Sequence, residues 1–368
     1  MFNRLITYLK NFDWILFTAV LLLVCFGLAE IYSVALGRSS VDLLNFKKQI
    51  IFIIMGMGLL FLLAFFDYHS LRSYSKYFYV SGFILLVGVL FFGQTIRGTK
   101  GWYDLAGFNL QPVELIKFVL ILFLAKYFSA GSPKIDGLKH LLISGGAALL
   151  MIALVLAQPD FGSAMLLFLA WLAMVFIVGF NKKYLLAIGL MLILVFGFSW
   201  QFALRDYQKQ RLVTFLNPSS SPLDQGYNVS QAIIAVGSGG LIGRGMGFGS
   251  QSQLKFLPEA QTDFIFAVVA EELGFSGVLL ILLFFAIFFY RCLYHLKRVN
   301  NDFGAFFILG AVSLIFIEMF INIGMNLGMV PVIGISLPFL SYGGSGLISS
   351  LMLVGVIESI IIRSKINY

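Results

Sequence analysis

The chain has 368 residues, 60% of them hydrophobic and 11% charged, with three histidines, two cysteines and a net charge of +8. Soluble domains carry roughly 25% charged residues; together with a mean hydropathy of +0.96, this composition excludes an ordinary soluble domain and indicates an integral membrane protein. The basic residues are scattered through short loops, which argues against the compact stripe of a nucleic-acid surface and fits positive loops beside an anionic leaflet.

A spanning helix takes about 20 mostly apolar residues, and ten segments qualify in chain order: 14–36, 48–66, 77–94, 112–128, 139–157, 162–180, 183–204, 263–290, 303–328 and 342–362. The first follows Arg4 and Lys10, but its apolar core exceeds the roughly 7–15 residues of a secretory signal, so it reads as a retained helix. Segments five and six are separated only by QPDF, where Pro159 breaks the helix. Cys25 and Cys292 form no CxxC pair and imply no disulfide framework. His69, His140 and His295 read as loop residues and match no HExxH pattern, which argues against zinc or histidine-triad chemistry. With the N-terminus inside, the inner loops take the larger share of Lys and Arg, among them Arg72, Lys76, Lys182, Lys183, Arg291, Lys297 and Arg298; the positive-inside rule then puts both termini in the cytoplasm. The expected fold is a single all-α polytopic membrane domain over 1–368. It has about ten transmembrane helices and one large extracytoplasmic loop, 205–262, between helices 7 and 8.

Within that loop, residues 227–236 read as a short re-entrant or interfacial helix. The following GSGGLIGRGMGFGS, 237–250, holds seven glycines, which open backbone conformations closed to other residues. It reads as a flexible loop, with closure over a substrate as the sharper alternative. Without a strand before it and a helix after it, it is no dinucleotide fingerprint.

The stretch FLPEAQTDFIFAVVAEELG, 256–274, sets Glu259, Asp263, Glu271 and Glu272 at or inside the start of an apolar helix. A charge near the bilayer centre costs roughly 2.5–3.5 kcal/mol on insertion scales, so such residues carry a functional or helix-contact role. Glu114 and Lys117 are spaced i, i+3 on one helix face and are expected to pair. The carboxylates of QPVE and QPDF each follow a helix break, and for Asp160 helix capping competes with a substrate role. Glu318, Asn322 and Asn326 form one stripe at i, i+4, i+8, readable as polar glue between helices. Segment parity places 111–114, 158–160, Asp263 and 338–346 on one membrane face, the external one if the N-terminus is inside.

Taken together, RGTKGW (97–102), QPVELIKF (111–118), QPDFGSA (158–164), NPSSSPLDQGYN (217–228), the block 235–274 and NIGMNLGMVPVIGISLPFLSYGGSG (322–346) resemble the SEDS family (shape, elongation, division and sporulation) in order and spacing over nearly the whole chain. DYQKQRLVTFLNP and AVVAEELG are more similar to its elongation branch, the RodA proteins, than to its division branch, the FtsW proteins. The chain departs from the family pattern at Gly101, where a second basic residue is common, and at Gly346, where Ser is common. The resemblance implies a peptidoglycan glycosyltransferase of the bacterial inner membrane that polymerises lipid II during cell elongation. It implies Asp263 as the essential carboxylate and a class B penicillin-binding protein as partner, alongside other proteins of the elongation complex. The expected substrate-binding set is Glu114, Lys117, Asp160, Lys100, Arg211 and Arg244. The basic members, or a bound divalent ion (Mg or Mn), would stabilise the leaving pyrophosphate. The competing readings are a division polymerase, a lipid II flippase or other transporter, and a scaffold for a partner enzyme.

Overall fold

The computed structural model describes residues 2–37, 43–96, 98–105, 107–131, 137–191, 209 and 225–366. Nine long helices follow the expected segments among these residues: α2 (Trp14–Leu36), α3 (Leu44–Phe65), α4 (Tyr68–Phe92), α5 (Pro112–Ala130), α6 (Leu138–Ala157), α7 (Phe161–Val178), α11 (Ile265–Leu296), α12 (Asp302–Asn326) and α13 (Gly344–Ile366). Eight are long and apolar enough to cross a membrane by length and composition; α5 carries three charges, Glu114, Lys117 and Lys126. The seventh segment opens as α8 over 182–191, and its remainder lies outside the described residues.

Two helices exceed their expected limits most. The fourth begins at Tyr68 rather than 77, because a turn rich in Ser, Tyr, Arg and Lys extends it; such side chains bury their stems while their polar ends reach water. The eleventh continues to Leu296, so Cys292 and His295 are buried helix residues and not part of a loop. His69 and His140 likewise sit in the first turns of α4 and α6.

Two further elements lie outside the expected segments, and the second corrects the purely helical expectation. A short helix, α1 (Phe2–Asn11), precedes the first span; its Tyr8 stacks on Phe65 with ring centroids 6.2 Å apart. Ten residues with Arg and Lys among them are too few to span, so a search for apolar runs passes over it. The second is a three-stranded antiparallel sheet, β1 (Gln94–Ile96), β2 (Thr99–Leu105) and β3 (Phe108–Leu110). Its turns use Gly98 at φ +81° and Gly107 at φ +89°, conformations that glycine adopts without steric cost. The Tyr103 hydroxyl donates to the Leu85 carbonyl at 3.0 Å, and Lys48 Nζ donates to the Gly107 carbonyl at 2.7 Å, docking the sheet on the bundle.

At the centre runs α13, buried almost throughout and packed most extensively on α3. A Cβ at Gly355 would fall 2.7 Å from the Leu60 carbonyl oxygen, the close backbone approach that small residues permit between membrane helices. Packing, not aqueous exclusion, holds such helices together, so polar contacts between them matter.

The end of the bundle remote from Asp263 is tied by one ionic cluster. Asp13 caps α2, accepting from the Ile15 and Leu16 amides at 3.2 Å each. Its carboxylate also meets Arg291 Nη2 at 2.8 Å and His295 Nε2 at 2.6 Å, while its own amide donates to Glu358 at 3.0 Å. Burial pushes the Asp13 carboxyl up, but the hydrogen bonds from His295, Arg291 and Leu16, with the Arg291 charge, outweigh it and hold the pKa at about 2. A carboxyl depressed below its ordinary 3.8 stabilises the fold above pH 4 and loses that contribution as pH falls through 2. Asp13→Ala is therefore expected to destabilise the protein by about 2–4 kcal/mol at neutral pH, combining loss of a cap with loss of a buried ion pair. The difference from wild type should shrink in thermal unfolding at pH 3. An unchanged melting temperature at pH 7 would refute the assignment.

Candidate active site

Asp263 lies in the turn just before α11, half-buried, with Phe264 at the N-cap position. The local backbone is unusual: Glu259 adopts φ +55°, and the amides of Thr262 and Phe264 both donate to its carbonyl, at 3.0 and 3.3 Å. Tertiary contacts fix this turn on several sides. The Tyr342 amide donates to the Gln261 carbonyl at 2.7 Å, Asn45 Nδ2 to Gln261 Oε1 at 2.7 Å, and the Ser341 hydroxyl to the Thr262 carbonyl at 2.6 Å. From α12, Asn322 and Asn326 each donate to the Asp263 carbonyl, at 2.9 and 3.0 Å. The Asp263 carboxylate points toward the 330–343 loop, where a Cβ on Gly334 would lie 3.6 Å from Oδ2.

Beneath the same loop, Lys117 Nζ sits between Glu114 Oε2 at 2.6 Å and Glu318 Oε1 at 2.5 Å, with all three side chains largely buried. The expected Glu114–Lys117 pair is present, and Glu318 joins it as a third member rather than as part of the Asn322–Asn326 stripe. The three line a cavity of about 10 Å³ with Ser336, Ser341 and Ser350, room for about one water. Ser341 faces this cavity and also bonds the residue before Asp263, so one side chain links the triad to the turn. Phe339, in the same loop, is buried at φ +66°, a strained conformation of the sort that gathers at functional sites.

The four polar places expected on one face do converge. The Gln111 amide donates to Ser345 Oγ at 2.9 Å, and Gln111 Nε2 to Asp160 Oδ2 at 3.2 Å. Asp160 caps α7, accepting from the Ser163 amide at 3.0 Å and hydroxyl at 2.8 Å, so the structure gives it the capping role. Lys100 lies on β2, paired with Thr95. Nearby, the sheet-docking Lys48 lies 5.9 Å from the Phe108 ring centroid; it is a cation on this side of the bundle that sequence reasoning passed over. Arg211 lies outside the described residues.

The glycine-rich segment is neither a free loop nor a closing lid: it is a strap stapled to α11. After helix α9 (Gln225–Ser238) and before the short α10 (Ser250–Gln253), the Arg244 and Gly245 amides donate to the Glu271 and Glu272 carbonyls at 3.0 and 2.9 Å. In return, Phe275 and Ser276 donate to Gly240 and Leu241 at 2.9 and 3.0 Å. Such reverse pairing requires α11 to break, and Gly274 supplies the break at φ +67°, ψ −161°. The two fully buried glutamates serve the strap as acceptors. Glu271 takes the Gln251 and Ser252 amides at 2.8 and 3.1 Å; Glu272 takes the Gly247 amide at 3.0 Å, Gln253 Nε2 at 3.1 Å, and the hydroxyls of Ser252 and Ser33. The exposed Arg244 braces the strap through Ser250 Oγ at 2.7 Å. Leu241, Ile242 and Phe248 at its tip are 76%, 83% and 77% exposed, an apolar edge suited to acyl chains.

Fold and site together define a multi-pass membrane protein with a carboxylate turn at one mouth of its bundle and a buried ionic triad beneath it. The model of the FtsW/RodA/SpoVE cell cycle proteins matches residues 13–366, and the chain belongs to that family, the SEDS proteins. It is 38% identical over 331 residues to the peptidoglycan glycosyltransferase MrdB of Escherichia coli K12, covering 88% of this chain and 87% of that one. Among solved structures, a chain from a peptidoglycan synthase complex that coordinates polymerization and crosslinking superposes with TM-score 0.82 at 28% identity, over 96% of this chain and 98% of that one. Thermus thermophilus RodA, a rod shape determining protein, superposes with TM-score 0.71 at 27% identity, over 97% and 98%.

Proposed function

We infer that this chain is a peptidoglycan glycosyltransferase that polymerises lipid II into glycan strands for cell elongation and shape. The observation that carries the chemistry is the Asp263 turn, half-open at the bundle mouth and pinned by Asn322, Asn326, Ser341 and Tyr342. A sugar 4-hydroxyl is a weak nucleophile and needs a placed base as its bond forms. Asp263 takes the hydroxyl proton, the oxygen bonds the anomeric carbon of a second lipid-linked sugar, and the anomeric carbon–oxygen bond breaks. Undecaprenyl pyrophosphate leaves with the electron pair. At the bundle mouth the carboxylate can meet a headgroup while the polyprenyl tail stays in the bilayer.

The leaving pyrophosphate is to be met by cations, with Lys100, Arg244, Arg211 and Lys48 as the candidates. Lys117 is already neutralised by two glutamates, so it supports the 336–350 wall rather than the phosphates. The described residues hold no cluster of three or more His, Cys, Asp or Glu that could hold a metal ion. The Asp263 carboxylate suits a hydrated Mg or Mn ion carried on the substrate's phosphates better than an all-protein cage. Such an ion would supply charge neutralisation at the leaving group.

The setting is the bacterial inner membrane, with both termini cytoplasmic and the strap external. A single-pass class B penicillin-binding protein is the expected partner, docked on the outer halves of α11 and α12, where Phe275 and Phe320 are exposed. A cysteine at the exposed Lys255 should react with an impermeant reagent on intact cells; reaction only after permeabilisation would reverse the orientation. The function itself is tested by incubating the purified protein with lipid II and sizing the product. Glycan chains support the polymerase. Vectorial movement of lipid II without chain growth supports a flippase, and neither outcome leaves a scaffold.

A further inference from the structure

Two fully buried asparagines on α12 hold the backbone on which Asp263 stands. Asn322 Nδ2 donates to the Asp263 carbonyl at 2.9 Å and to the Ile335 carbonyl at 2.7 Å. It thereby joins the carboxylate turn to the loop that faces it. Asn326 Nδ2 donates to the same Asp263 carbonyl at 3.0 Å, while its Oδ1 accepts the Ala267 amide at 3.2 Å. That amide belongs to the first turn of α11, whose N-cap residue Phe264 offers no side-chain oxygen. Asn326 thus caps α11 from a neighbouring helix. The pair is also joined directly, Asn326 Nδ2 donating to the Asn322 carbonyl at 2.8 Å. Four elements meet at this pair: the 259–264 turn, α11, α12 and the 330–343 loop.

We propose that Asn322 and Asn326 are positioning residues for glycosyl transfer, fixing the Asp263 backbone so that its carboxylate keeps its reach and direction. Polar glue between helices needs only some partner for each amide. Here both donors converge on a single carbonyl, that of the residue bearing the carboxylate, and both side chains are 0% exposed. A carbonyl held by two buried donors has little freedom to shift, and a displacement of about 1 Å can cost on the order of 10²-fold in rate. The proposal rests on Asp263 as the base.

The test uses the full chain in membrane-like particles with its crosslinking partner, with lipid II varied. Asn322→Leu and Asn326→Leu keep approximate shape and remove the donors; Asn322→Gln keeps the amide but moves its tip by one methylene. For all three, kcat is expected to fall on the order of 10²-fold with KM changed less than about threefold. In an Asp263→Asn background, Asn322→Leu is expected to lower the residual rate no further, because residues acting as a unit are not additive. Folded Asn322→Leu and Asn322→Gln proteins that keep kcat within about threefold overturn the proposal, as does a further loss in the Asp263→Asn background. If Asn322→Gln fails to fold, the amide's role is structural and the proposal also falls. Failure of the base reading is separately visible, as turnover retained by Asp263→Asn alone.

Discussion

Asp263→Asn is expected to reduce lipid II polymerisation by about 10²–10⁴-fold, the span typical of a lost general base, with folding, membrane insertion and partner binding intact. Asparagine keeps the shape of the side chain, and the turn is fixed through backbone atoms: the Asp263, Thr262 and Gln261 carbonyls accept from Asn322, Asn326, Ser341 and Tyr342. None of these contacts needs the carboxylate. The same anchoring makes Asp263→Glu a poor rescue. The longer side chain carries its oxygens about 1 Å too far, and a backbone held this firmly cannot retreat, so most of the loss should remain. Product sizing on purified protein reads both variants. Near-wild-type glycan chains from folded Asp263→Asn would move the base elsewhere. Asp160 is then the first alternative because it lies beyond a helix end, although its oxygens already cap α7 and bond Gln111. Glu114 is second, being neutralised by Lys117.

The spans were legible because long apolar runs have few structural alternatives. The convergence of 111–114, 158–160, Asp263 and 338–346 was legible too, since segment parity alone fixes the face on which a helix end emerges. What escaped the sequence was of two kinds. Short elements carry little signal: α1 has ten residues, and β1 and β3 three each. Long-range pairing carries none. Glu114 and Lys117 could be matched by helical spacing, but Glu318 lies 201 positions from Lys117. Likewise Asn322 and Asn326 showed only their shared stripe, not the carbonyl they hold 59 and 63 positions away. The glycine-rich strap misled for a different reason. Glycines report that the backbone is free to adopt unusual angles; they do not report that its amides will find Glu271 and Glu272 as acceptors. Those two glutamates, suggestive of substrate chemistry in a list of intramembrane charges, spend their lone pairs on that strap.

The buried triad gives the second large effect, and its sign is set by charge count. Lys117 carries one positive charge against two negative ones, at 2.6 and 2.5 Å. Removing either glutamate as Glu114→Gln or Glu318→Gln leaves one matched pair and a neutral amide able to accept from the ammonium, so each should cost about 1 kcal/mol. Lys117→Met instead leaves two buried carboxylates with no cation between them, and breaking a buried pair by removing one partner costs about 3–5 kcal/mol. The order of stability is therefore expected to be wild type, then either Gln variant, then Lys117→Met far below. Neutralising all three together (Glu114→Gln, Lys117→Met and Glu318→Gln) should recover much of the loss, with coupling energies of about 0.5–3 kcal/mol between members. Activity should track the same order, because Ser341 carries any shift of the triad's cavity to the Thr262 carbonyl beside Asp263. Thermal unfolding of the purified variants, with polymerisation measured on the same samples, decides it. If Lys117→Met is no worse than the single Gln variants, or the triple variant is no better than Lys117→Met, the three residues do not act as one ionic unit.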